Sequence, residues 1–237
     1  MDRHMQYISP RSIIAVLGLL AAAAACSDNP NLPQTGGNSG TLVLLNALSS
    51  GAAPTLRIDG NVVALPAAGT SGSSALDAGV HQFQVLNGSQ VLATKTISID
   101  ANGHRTAVLS GTMSQALLLV NTLDTAVVPM TDAAKVRLVH TVPDAPSTDA
   151  YLFLTSQAAD SGTRFVVPFN YGTGTDPNFP GFGVRPPGQY LVWLKAAGTN
   201  TVLVQGGPFT LAAGDVWSFV LARNDAGSLE IRAVKEH

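Results

Sequence analysis

A single cysteine, Cys26, stands in these 237 residues, so no disulfide can form within the chain and a disulfide-stapled scaffold is excluded. Charge is scarce as well. Asp, Glu, Lys and Arg make up 12% of the chain against 46% apolar residues, which rules out both a charge-laced coiled coil and a charged, hydrophobe-poor disordered chain. The 13 basic residues are outnumbered by 15 acidic ones, so there is no basic field for phosphates and no nucleic-acid partner is expected. Aromatic residues are few and uneven: between 41 and 130 only Phe83 occurs, whereas twelve of the fourteen lie beyond residue 134. Also missing are Gly-x-Ser-x-Gly, Walker-type and dinucleotide glycine loops, His-x-x-x-His spacings and paired carboxylates on one element. Nothing in the chain suggests a hydrolase, and the expectation is a protein that is not an enzyme and carries no cofactor.

What is present begins with an export segment. Arg3 and Arg11 precede Ile13 to Ala25, a stretch without charge that ends in five alanines ahead of Cys26. Thirteen residues at about 1.5 Å each give roughly 20 Å of helix, short of the ~30 Å core of a bilayer. The layout is that of a signal peptide over 1–25 rather than a permanent span. A lone Cys directly after the small-residue end of such a stretch resembles a bacterial lipoprotein signal, here Leu20 through Cys26. The resemblance implies acylation of the Cys26 thiol, cleavage before it and a membrane partner held through that lipid anchor. With Ser27 rather than Asp next to the Cys, it implies the outer membrane of the cell envelope. Ser27 to Gly40, all polar or turn-forming except for one Leu, cannot bury enough apolar area to fold, so 26–40 is expected to be the lipidated Cys and a flexible tether.

From Thr41 onward the patterning has period two and is punctuated by turn residues. His81 to Val85 and Leu229 to Ala233 alternate, and short β-branched runs such as Leu42 to Leu45, Val136 to Val139 and Val216 to Leu221 lie between turn chemistries such as Asp59-Gly60-Asn61 and Asn87-Gly88. The chain also repeats itself. Residues 42–58 lie over 136–152 without a gap, 78–86 over 187–195, and 97–109 over 209–221. The offset grows from 94 to 109 and then 112, so about fifteen extra residues of the second copy fall between Thr155 and Val184. The expectation is all-β: two tandem immunoglobulin-like or transthyretin-like antiparallel β-sandwich domains, at 41–130 and 134–235, joined near Pro129 to Asp132.

At Val136 to Phe153, with Pro187 to Gly198 and Phe209 to Ala222, the second copy resembles the family known as domain of unknown function 4397. Val139-His140 followed by Pro143-Asp144-Ala145-Pro146 is the most specific part. The first copy keeps the framework, with Asn46 at the His position and Ser50 at the Asp position. The resemblance implies an exported or lipid-anchored bacterial sandwich protein and brings no catalytic residues with it.

Two groups of residues are singled out for chemistry. His140, Asp144 and Asp149 form the densest polar group. Alternation from Val136 and Leu138 turns His140 inward, where a ring nitrogen can bond the backbone of the following turn, and one His with two Asp falls short of a metal's ligand set. They are read as a structural motif, with no metal. The second group is the long loop Asn170 to Gly188, rich in Gly and Pro, whose Tyr171, Asp176, Phe179, Phe182 and Arg185 could contact a partner. The function expected is therefore a non-enzymatic cell-envelope lipoprotein, a binding or structural module that exposes loops of its second domain to an envelope protein or a glycan. The alternative is a small-ligand or glycan binder that uses the 170–188 loop as a pocket lid.

Overall fold

A computed structural model of the chain describes residues 38–49, 54–112, 115–120, 129–157, 164–171 and 182–236. The expected signal peptide, Cys26, the tether to residue 37, Asp176 and Phe179 lie outside these residues. The described part is all-β, built from sixteen strands.

The first half runs β1 (Ser39–Leu48), β2 (Thr55–Ile58), β3 (Asn61–Val63), β4 (Ser71–Asp77), β5 (Gly79–Asn87), β6 (Gln90–Ile99), β7 (His104–Thr112) and β8 (Gln115–Val120). The second half follows with β9 (Ala134–His140), β10 (Thr148–Leu154), β11 (Arg164–Phe169), β12 (Gly183–Arg185), β13 (Gly188–Ala196), β14 (Val202–Leu211), β15 (Val216–Arg223) and β16 (Leu229–Lys235). Each half makes two four-stranded sheets, β4-β1-β7-β8 over β3-β2-β5-β6 and β12-β9-β15-β16 over β11-β10-β13-β14. Renumbered within each half, the order is 4-1-7-8 over 3-2-5-6 both times. Of the two arrangements expected, this strand order is the transthyretin-like one. Pairing is antiparallel except at β1 with β7 and β9 with β15, which run parallel.

The repeat read from the sequence holds down to register. Leu42 faces Arg105 and Val136 faces Trp217 in the parallel pairs, positions separated by the offsets 94 and 112. Leu56 faces Val85, and Ala150 faces Leu194, in keeping with 94 and 109. On the other edge of each first strand Leu42 faces Ser74 and Val136 faces Gly183, so the extra residues of the second copy enter before β12. Asp59 and Gly60 both take positive φ, 52° and 81°, and close the β2–β3 hairpin in two residues, as its twist requires.

The apolar pattern decides which sheets lie in the middle. β1, β7, β9 and β15 are buried along most of their length because both of their faces are covered. Leu42, Leu44, Leu56, Phe83, Val85 and Leu109 fill the first sandwich, and Val136, Leu138, Leu152, Phe169, Tyr190 and Phe219 the second. A third, thinner layer joins the two inner sheets: Leu45, Ala47 and Val108 from the first half meet Val139, Val220 and Val234 from the second. Among the described residues no strand of one half joins a ladder of the other, apart from the isolated parallel bridge between Thr70 and Lys235. Arg232 of β16 reaches across instead, its guanidinium donating to the carbonyls of Ala47 and Gly111 in the first half and of Arg223 in its own.

Candidate functional site

His140 closes β9 and is fully buried. Its Nδ1 accepts the Val142 N–H at 3.3 Å, and its ring lies 5.0 Å from that of Phe169. Asn46, the counterpart in the first half, does the same job: its Oδ1 accepts the Leu48 N–H at 3.1 Å while Nδ2 donates to the Pro66 carbonyl at 2.8 Å. With Nδ1 accepting, the neutral ring carries its proton on Nε2, which is buried without a partner. Burial pulls the His140 pKa from 6.5 down to about 4. The unfolded chain then binds a proton between those two values that the folded chain refuses. The contribution of His140 to stability is complete above about pH 6.5 and is lost as the pH falls toward 4. Denaturant midpoints measured between pH 7 and pH 4 should show this decline, and His140→Asn should flatten it. At pH 7 His140→Ala should cost roughly 1–3 kcal/mol, part of which His140→Asn recovers by restoring the bond that Asn46 makes.

The turn after His140 reaches solvent. Asp144 is 73% exposed at its side chain and accepts the Arg223 Nη2 at 2.8 Å. That hydrogen bond, followed by one from its own backbone, holds the Asp144 carboxyl below the usual carboxylate range. A second guanidinium nitrogen of Arg223 donates to the Gly227 carbonyl, so the cation is fixed from two sides. The pair stands on the rim of a groove of about 460 Å³ between the two halves. Leu92, Ala116, Val142 and Pro143 give the groove its apolar walls, and Ser110 and Thr112 line it from β7. Ser110 is 1% exposed, and its Oγ has no hydrogen-bond partner.

Asp149 does not join this group. It sits at the start of β10 on the sheet face turned away from the core, opposite Lys195, and its Oδ2 accepts the Gly198 N–H at 3.1 Å. His140, Asp144 and Asp149 thus serve three different places, and among the described residues no group of three or more His, Cys, Asp or Glu gathers to hold a metal ion. Of the loop residues, Tyr171 stands at 46% exposure just beyond β11. Phe182 lies under the Arg137 guanidinium at 4.5 Å, and Arg185 stacks on Phe165 at 4.7 Å. Phe182 and Arg185 are therefore engaged within the fold.

Arg223 and Ser110 were not legible as site residues, and neither was a cluster on the outward face of the β10–β13 pair. There Tyr151 opposes Trp193, Lys195 lies 4.7 Å above the Tyr151 ring, and Phe153 meets Trp193 edge-on at 5.1 Å. The first half builds the same face with Arg57, Asp59 and Gln84, so the sandwich itself does not require the aromatics. The alternation Tyr151-x-Phe153 with Leu191-x-Trp193-x-Lys195 is the signal that marks the face.

Together these features define a protein of tandem transthyretin-like sandwiches with a groove where its halves meet. Residues 40–151 match the family model described as a domain of unknown function, DUF4397. That stretch covers the first half and runs on into β10, and it takes in every described residue that lines the groove except Arg223. Among solved structures the Bacillus anthracis TIE protein is similar at 14% identity and a TM-score of 0.25, over 78% of this chain and 34% of that one. The chain thus spans about a third of that protein's length. No curated protein matches the chain.

Proposed function

We propose that this is a non-enzymatic lipoprotein of the bacterial cell envelope, held at the outer membrane through Cys26, whose folded part binds rather than catalyses. The groove between the halves is the observation that carries the binding role: its volume is that of a small-ligand site, and it lies where such sites concentrate, between two packed units. Acid–base catalysis needs a reachable group that titrates near the working pH. Asp144 is held ionised by Arg223, the His140 ring is turned into the core, and both ring nitrogens of His81 are taken up by Asp59 and the Asp77 carbonyl. Tyr171, exposed beyond β11, favours the second reading, in which a ligand is held under the 170–188 loop.

The anchor rests on the charge-free Ile13 to Ala25 stretch ahead of the lone Cys26. Mass spectrometry of the membrane fraction should find a mature chain that begins at an acylated Cys26, and Cys26→Ser should leave the protein soluble or uncleaved. An unmodified chain with a different first residue overturns the lipid anchor while leaving export intact.

A further inference from the structure

We infer that the groove between the halves is a binding site for a neutral, hydroxyl-rich ligand, a sugar unit of a glycan. The inference deepens the binding role proposed above and rests on it. Four features converge on this chemistry.

The first is the Ser110 hydroxyl, dried by the packing of the inner sheets and left without a partner while its residue lines the groove. A buried hydroxyl can both donate and accept, and forfeits both roles unless a guest supplies them. The second is the rim. Asp144 accepts only and Arg223 donates only, so two neighbouring hydroxyls, one donating and one accepting, suit the pair. The pair is neutral in sum, and a charged guest would have to pull one partner away from the other. Third, Leu92, Ala116, Val142 and Pro143 offer an aliphatic wall for the C–H face of a sugar ring.

The fourth comes from the repeat. The positions of Asp144 and Arg223 are taken in the first copy by Ser50 and Gly111, neither of which can form an ion pair. The sandwich framework therefore does not account for the pair.

Calorimetry on the detergent-solubilised full chain, with maltose, cellobiose and chitobiose as neutral probes and glucose 6-phosphate as the charged one, tests the inference. At least one neutral disaccharide should bind saturably at one site per chain, with the phosphorylated sugar at least about tenfold weaker. Ser110→Ala should weaken that binding by about tenfold or more without lowering the melting temperature, because the hydroxyl it removes has no partner in the fold. Arg223→Gln should weaken it as well. Silence from all three disaccharides overturns the inference, as does tighter binding of the phosphorylated sugar or an affinity that Ser110→Ala leaves unchanged. If a disaccharide binds with full affinity to Ser110→Ala and Arg223→Gln but loses it in Tyr171→Ala, the groove is excluded while the binding role stands.

Discussion

Phe83→Ala should destabilise the first sandwich by about 3–5 kcal/mol, read as a lowered denaturant midpoint for the near-ultraviolet or hydrogen-exchange signal of that half. Phe83 is fully buried among Leu42, Leu44, Leu56, Val85 and Ile97. It is the sole Phe, Tyr or Trp between residues 41 and 130, and the other described residues of its core cluster are all aliphatic. Its counterpart in the second half is Val192, buried beside Phe169, Tyr190 and Phe219. The bulk that one ring supplies in the first half is shared among several in the second, and Val192→Ala should cost clearly less. A Phe83→Ala loss below about 1 kcal/mol would show that the surrounding leucines close the space, and that burial in the intact sandwich overstates what the ring contributes.

A loss of similar size should follow from Arg137→Val. Arg137 is a buried cation in the centre of β9, held at two of its nitrogens and on one face. Nε donates to Ser218 Oγ at 2.6 Å, Nη2 donates to both Glu236 carboxylate oxygens at 3.1 and 3.2 Å, and the Phe182 ring lies against the guanidinium plane. Val43 stands at this position in the first copy, so valine suits the strand and the expected cost is electrostatic: Glu236, 8% exposed at its side chain, is left as a buried carboxylate without its cation. Breaking such a pair from one side costs about 3–5 kcal/mol, whereas neutralising both sides is far milder. Arg137→Val combined with Glu236→Gln should therefore be more stable than Arg137→Val alone. A double-mutant cycle by denaturant melts measures the difference, and strict additivity would mean that Glu236 finds water instead.

Much of this architecture could be read from the residues, for reasons that differ by strand. The run Leu42 to Leu45 announces its strand through apolar continuity and Val136 to Val139 through three apolar residues in four, and the gapless repeat tells which strands correspond. β4 was invisible. Ser-Gly-Ser-Ser-Ala-Leu-Asp has little strand propensity, and it becomes a strand because the β1 backbone offers it a ladder. β3 and β12, three residues each, are too short to show a period. The parallel direction of β1 with β7 has no signature in alternation either, since a period of two says which face a side chain takes and nothing about its partner's heading. The same limits govern the site. The backbone bond of His140 follows from alternation and a turn within six residues, which is local information. Asp144 meets Arg223 from 79 positions away, and Ser110 reaches the groove only because the two halves pack through their inner sheets. Contacts created by that packing are the ones periodicity cannot supply.

The parallel pairing of β1 has a mechanical consequence. A load that enters the chain at Ser39, on the side from which the expected tether arrives, runs along β1 between two partners, with Thr41 to Leu48 alongside β7 and Ser39 to Leu45 alongside β4. Drag on the body of the protein pulls against that strand along its length. The hydrogen bonds of both ladders are then strained together in shear instead of parting one after another as in an unzipping hairpin. The strand nearest the tether is thus anchored in the middle of its sheet, where a pull is resisted by many bonds at once.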